Sequence, residues 1–189
     1  MNVMARLGVL LSRGASFMGL ALLLCACTTV PTAPGTLLLR LSPGSLGQIL
    51  ALQQQLTVES RGQTRVLDVI LEADAQSVRL AAMNMGQTAA RLEWDGTSLS
   101  ESRAPWWPAA IGAERILSDL QLMLWPADAI RAALPADWSL QSDASDRELR
   151  HAGKVVARVH YLSRTQSELD HVRDGYRIRV QSRALGGTP

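Results

Sequence analysis

The chain has 189 residues, 47% hydrophobic and 19% charged, with a formal net charge of +2. That length fits one domain able to bury about 70% of the surface its unfolded chain exposes. The first 26 residues hold two of the 19 basic residues, Arg6 and Arg13, and none of the 17 acidic ones, so residues 27–189 are charge-balanced. A balanced domain gives no electrostatic case for nucleic acid, whose binding rests on neutralising phosphates.

The first element reads as an export signal. Arg6 and Arg13 precede an apolar run over residues 14–24 that includes Phe17, the layout of a basic n-region and a short h-region. The run is too short for an ordinary transmembrane helix, which needs about 20 apolar residues. The apolar pattern alone leaves a plain signal peptide or an uncleaved anchor open. The stretch "LLLCACTTV" holds both cysteines, Cys25 and Cys27. Within it "LCAC" resembles the lipobox of bacterial lipoproteins: Leu24, a tolerant position, small Ala26, then the cysteine that receives diacylglycerol. That resemblance implies a signal peptide over residues 1–26, loss of Cys25 with it, and lipidation of Cys27. No disulfide is then expected. Thr28 stands where an aspartate favours inner-membrane retention in enterobacterial lipoproteins, which points to the outer membrane, facing the periplasm. Two or three acyl chains on one residue meet the two-signal requirement for stable anchoring. Residues 27–36, with Pro31, Pro34 and Gly35, read as an extended tether, and residues 37–189 as a single domain.

The domain opens with strands. "LALQQQLTVES" (50–60) ends at the turn signal Arg61-Gly62, and "TRVLDVILEA" (64–73), rich in β-branched residues, returns as its hairpin partner. In "AARLEWDGTSLSES", Ala90, Leu92 and Trp94 alternate with Arg91 and Glu93 before an Asp95-Gly96 turn. The period then changes. Ile116, Leu117, Leu120, Met123 and Leu124 recur at helical spacing, with Glu114, Arg115 and Asp119 placed off that stripe, until Pro126. A second short helix over 127–134 shares Ile130, Ala133 and Leu134 on one face. Strands resume in "RELRHAGKVVARVHYLS", a hairpin turning at Ala152-Gly153, and in "GYRIRVQSRAL", whose alternation fits an antiparallel sheet with one solvated face. The expected fold class is mainly β with a helical insertion, a half-open antiparallel β-barrel covered by helices, with a closed barrel as the alternative.

Motifs for chemistry are sparse. His151, His160 and His171 show no ligand spacing and no local carboxylate pattern. There is no nucleophile elbow, phosphate loop or dinucleotide fingerprint. No catalytic residue, metal or cofactor is expected, and the chain does not read as an enzyme. The five tryptophans stand out beside two Tyr and one Phe. Trp94 reads as core. Trp106 and Trp107, in "APWWPAA", suit a cavity mouth or a lipid interface, while Trp125 and Trp138 flank the second helix. With Ile116, Leu117, Leu120, Leu124 and Ile130, residues Trp94, Trp106, Trp107 and Trp125 are the candidates for a cavity and its lid.

The order of features resembles LolB, the outer-membrane lipoprotein family that accepts lipoproteins from the periplasmic carrier LolA. The match runs through lipobox, extended hairpin, the loop "MNMGQT" leading into a strand, the helical insertion "AERILSDLQLMLWPADAIRAALPADWSL", and a later hairpin. "LSPGSLG", "LEWDG", "PWWPA", "LQLMLWP" and "IRAALP" resemble more closely a LolB-like lipoprotein family encoded beside aryl-polyene and fatty-acid-type biosynthetic enzymes. The resemblance implies an apolar cavity for acyl or polyene chains, delivery to the outer membrane, and a periplasmic carrier as partner. The LolB loop has the form N-P-L-G and projects its leucine. Here "NMG" places Met85 at that leucine, one proline short, as the implied membrane-contacting residue. A non-catalytic adaptor lipoprotein is the competing function, and a lipid-modifying enzyme a third. An apolar cavity of several hundred Å³ under the helices would favour lipid handling, and a filled core the adaptor.

Overall fold

The computed structural model describes residues 36–108 and 111–185; Cys27, the 1–26 segment and nearly all of the tether lie outside them. The described chain starts with an apolar segment, 37–47, that includes a 3-10 turn at Pro43–Leu46. Five strands come next, β1 (Leu50–Ser60), β2 (Gln63–Ala73), β3 (Val78–Asn84), β4 (Gln87–Trp94) and β5 (Leu99–Arg103). Two helices, α1 (Ala113–Leu124) and α2 (Ala127–Ala133), precede β6 (Trp138–Ser142), β7 (Asp146–His151), β8 (Lys154–Tyr161), β9 (Gln166–His171) and β10 (Tyr176–Ala184).

All ten strands form one antiparallel sheet in the order β5-β4-β3-β2-β1-β10-β9-β8-β7-β6. Each neighbour pair but one is a local hairpin. The exception, β1 with β10, runs from Leu52↔Ala184 to Ser60↔Tyr176 and joins the two halves of the chain. The open edges are thus β5 and β6, the strands that flank the helical insertion in sequence. This is the half-open barrel with a helical insertion that the pattern predicts. Strands β3, β6 and β9 carry little signal of their own. "WSLQS" and "QSELDH" are mostly polar, and their extended state comes from ladders with stronger neighbours.

The sheet's inner face is apolar. Leu67, Val69 and Leu71 of β2 alternate with exposed residues, and they share one core with Val78, Leu80, Leu92, Trp94, Leu149, Val159, Leu169 and Val180. Helix α1 is buried at every position from 117 to 123. A surface helix buries one stripe, so α1 is enclosed, with the sheet on one side and segment 37–47 on the other. Leu39, Leu41 and Leu46 of that segment belong to the core.

The backbone of this strap is satisfied by polar side chains of α1, as buried amides require. The Leu39 N–H donates to Ser118 Oγ at 3.0 Å. The Leu41 N–H donates to Gln121 Oε1, and Gln121 Nε2 donates to the Leu41 carbonyl, each at 2.9 Å. Gln121 therefore does for the strap what a neighbouring strand would do. Trp125 Nε1 reaches the Ser42 carbonyl at 3.2 Å and Ser45 Oγ at 3.0 Å. Strap and helix numbers rise together along these contacts, so residue 37 lies toward the N-terminal end of α1.

The sheet has two unlike ends. At one, two-residue turns at Arg61-Gly62, Met85-Gly86 and Ala152-Gly153 place both residues in the left-handed region. The N-terminus of α1 lies here. At the other, Asp74, Asp95 and Asp143 each accept two N–H donors of their own turn. Those bonds hold all three carboxyls below their usual range, and the C-terminus of α1 lies at this end.

Candidate functional site

Met85 is the most exposed large apolar side chain at the first end, with 94% of its surface accessible. Its φ of 49° is paired with 77° at Gly86, the left-handed combination that a two-residue hairpin turn demands and that glycine adopts without strain. Most sequences place Asn, Asp or Gly at the first position; here a bulky apolar residue occupies it. Asn84 Nδ2 donates to the Val66 carbonyl at 3.0 Å and ties the turn to β2. Val66, Trp106 and Val172 are further exposed apolar residues at this end, Trp106 at 47%.

The other cavity and lid candidates are not gathered at a mouth. Trp94, Leu117, Leu120, Trp125 and Ile130 are core, while Ile116, Leu124 and Trp107 pack half-buried against it. Trp94 Nε1 donates to the Leu41 carbonyl at 2.8 Å, and Trp107 Nε1 to the Ile111 carbonyl at 2.8 Å. The tandem tryptophans divide, Trp107 turning inward and Trp106 outward. Trp138 stacks on His151 with ring centroids 4.6 Å apart.

Beneath the helices, Leu117, Leu120, Met123, Trp125 and Ile130 pack in one core with the inner face of the sheet and with Leu39, Leu41 and Leu46 of the strap. The concavities found among the described residues lie elsewhere: a groove of about 390 Å³ lined by Glu72, Arg79, Arg91, Glu93 and Glu101, and one of about 280 Å³ around Gln53, Asp68 and Arg183. Both are open to solvent, and the first is also lined by Ile70, Leu80, Ala81 and Leu92, so its floor is largely apolar.

A buried polar cluster joins α1 to β9 and β10 at the Met85 end. Asp119, placed off the apolar stripe by the sequence pattern, is instead buried, because β10 supplies a partner. The Tyr176 hydroxyl donates to Asp119 Oδ2 at 2.5 Å. Burial pushes the Asp119 carboxyl up to about 7, opposed by the Tyr176 bond and by Arg115. His171 stacks on Tyr176 at 4.9 Å, and burial lowers it to about 4, opposed by Asp174. Arg115 bridges the cluster, with Nη2 2.8 Å from Asp174 Oδ2 and Nη1 3.1 Å from His171 Nε2. The Asp174 backbone N–H donates to His171 Nδ1 at 3.3 Å, and Asp174 Oδ2 lies 3.4 Å from the same nitrogen.

The other histidines also meet carboxylates that no local spacing reveals. His151 Nε2 lies 2.6 Å from Asp137, and His160 pairs with Asp146. These contacts cross strands or turns, fourteen residues apart in sequence. Among the described residues no group of His, Cys, Asp and Glu has the arrangement to hold a metal ion.

A family model described as "Protein of unknown function (DUF3261)" matches residues 51–184. The chain belongs to this family. The match runs from the second residue of β1 to the last of β10, so the DUF3261 region is the whole sheet with its helical insertion, without the strap. No curated protein matches. Among solved structures, the chain is similar to the crystal structure of a DUF1329 family protein from Desulfovibrio piger ATCC 29098. The likeness is at 8% identity over 78% of this chain and 90% of that one, with a TM-score of 0.40.

Proposed function

We propose that this DUF3261 chain is a LolB-like lipoprotein, anchored to the outer membrane through acylated Cys27. Its Met85 end faces the bilayer, and its barrel handles acyl or polyene chains, or the acyl chains of lipoproteins, for delivery to that membrane. The observation that carries this is directional. Met85 projects at the end of the sheet toward which the strap, followed back to residue 37, runs. The ten residues of the tether reach about 35 Å when extended, which keeps a Cys27 anchor within range of that end. No covalent step is involved; the driving force is apolar area leaving water, about 25 cal/mol per Å².

Because α1 and the strap pack in one core with the inner face of the sheet, a bound chain takes the place of α1, and uptake requires that helix to move out. This is tested by titrating the protein with cis-parinaric acid, a conjugated polyene fatty acid, while following tryptophan emission. Saturable binding with a change in the environment of Trp125 is expected. Met85→Glu leaves that binding unchanged and lowers transfer of the probe to vesicles. Equal transfer by the variant would refute the role of Met85.

The packing of α1 and the strap into that core also supports a second reading, a non-catalytic adaptor lipoprotein whose barrel is a rigid body. Absence of any parinarate binding selects it.

A further inference from the structure

We propose that the Met85 end is a docking surface for anionic phospholipid headgroups, with Arg61, Arg65 and Lys154 as the headgroup contacts. This rests on the membrane-facing reading of that end and names the chemistry of its partner.

Most cations of the described chain are committed to partners within it. Arg40 pairs with Glu114, Arg79 with Glu72, Arg103 with Glu101, Arg131 with Asp128, Arg158 with Glu148 and Arg179 with Glu59. Among the described residues five cations have no ion pair or hydrogen bond: Arg61, Arg65, Arg91, Arg164 and Lys154. Three of these five stand at the Met85 end, all exposed. Arg61 opens the β1–β2 turn with a φ of 50°, as Met85 opens the β3–β4 turn. Arg65 is next to exposed Val66, whose carbonyl receives the bond from Asn84, and Lys154 comes directly after the Ala152-Gly153 turn.

Most carboxylates at this end are paired with a cation, Glu59 with Arg179, Glu114 with Arg40, Asp170 with Arg177 and Asp174 with Arg115, while Asp137 hydrogen-bonds His151. Unpartnered Asp68 sits at the middle of β2. The Met85 end therefore presents uncompensated positive charge around exposed apolar side chains, the combination that suits an anionic lipid surface. The opposite end also exposes apolar residues, Ile49 and Leu162. It surrounds them with Asp74, Asp95 and Asp143, held in their charged form by the turns, which repel the same surface.

The test uses the compact unit Pro34–Pro189, which contains every residue of the described core and no cysteine. An N-terminal histidine tag holds it on vesicles bearing equal amounts of a nickel-chelating lipid, in place of the acyl anchor. A fluorophore on Gln87→Cys reports the Met85 end, one on Thr97→Cys the other end, and a lipid-borne nitroxide quenches whichever reaches the bilayer. Phosphatidylcholine vesicles are compared with vesicles that also contain phosphatidylglycerol.

Quenching at Gln87→Cys is expected to be favoured by phosphatidylglycerol. The triple variant Arg61→Gln, Arg65→Gln, Lys154→Gln, shown by circular dichroism to remain folded, lowers docking on the anionic vesicles on the order of 100-fold, or about fivefold per cation. Arg164→Gln leaves it unchanged, and raised salt reproduces the loss. Equal quenching on both vesicles, unaffected by the triple variant, overturns the headgroup proposal and leaves the membrane-facing reading standing. Quenching at Thr97→Cys instead, or at neither site, overturns both.

Discussion

Helix α1 is held differently at the two ends of the barrel. At the Asp95 end its last carbonyls, which have no partner within the helix, are satisfied by groups that stay in one protonation state across neutral pH. Arg147 Nη1 donates to the carbonyls of Leu122 and Trp125 at 2.8 and 2.7 Å. The Tyr161 hydroxyl donates to the Met123 carbonyl at 2.6 Å, and Trp125 is bound through its indole to the strap. At the Met85 end the same helix is held by the strap through Ser118 and by the Arg40–Glu114 pair, and also by Asp119 and His171, whose charges change within a few pH units of neutrality. The difference teaches that α1 has a fixed end and a conditional one. The outward movement that the lipid-handling proposal requires is expected to pivot at the C-terminus of the helix and to open toward the end where Met85 projects.

The largest effect is expected at the fixed end. Trp125 is fully buried, so Trp125→Ala removes a large core side chain together with two hydrogen bonds. A loss of about 3–5 kcal/mol in urea unfolding is predicted. A loss below about 1 kcal/mol would mean that the pivot is not there.

The conditional end is sharpened by pH. Asp119 has its folded-state value raised from 3.8 to about 7, so the stability it contributes is complete below about pH 4 and falls as pH rises to about 7. His171 is lowered from 6.5 to about 4, so its contribution is complete above about pH 6.5 and is lost as pH falls through 4. Between pH 4 and 6.5 the two slopes oppose each other. Asp119→Asn removes the first and leaves the second, so the variant should gain stability with rising pH across that window, more steeply than the wild type. Thermal melts at pH 4, 5, 6 and 7 check this, and identical pH profiles would show that Asp119 does not titrate with folding. Arg115, Arg173, Asp174 and Tyr176 face the pair and are unchanged in the comparison.

The smallest effect concerns the turns. An added Cβ at Gly86 meets nothing within 4 Å, yet its φ of 77° is one that side chains rarely adopt. Gly86→Ala should therefore cost about 1 kcal/mol through backbone strain alone. Equilibrium unfolding of this variant beside Gly112→Ala, where φ is −88° and space is open, isolates the conformational contribution.

Much of this architecture was legible in the sequence because hairpins are local. Alternation in "TRVLDVILEA" and "ARLEW" and the turn signals Arg61-Gly62, Asp95-Gly96 and Ala152-Gly153 mark both faces and both ends. The helical stripe through Leu117, Leu120 and Met123 was equally plain. Its opposite face was not. Asp119 was placed only off the stripe, and the burial of Ser118, Asp119 and Gln121 was not foreseen, because a period shows which side is apolar and not whether a distant strand or strap will cover the other. Their partners, Leu39, Tyr176 and Leu41, lie 57 to 80 residues away in sequence. The His–Asp contacts were hidden for the same reason, and so was the place of Leu117, Leu120, Trp125 and Ile130 in the core, since apolar residues that line a cavity and those that pack a core share one pattern. Met85 was legible only through its likeness to a known loop; its exposure and its left-handed backbone come from the structure.

The central claim is that one identified end of the barrel meets the membrane. The most direct measurement places a photo-reactive amino acid at Met85 or at Thr97 of the full chain in its native membranes, and reads crosslinks to lipid by mass spectrometry. Lipid adducts at position 85 and none at 97 are predicted. Adducts at 97, or equal yields at both positions, would contradict the assignment of the Met85 end to the bilayer.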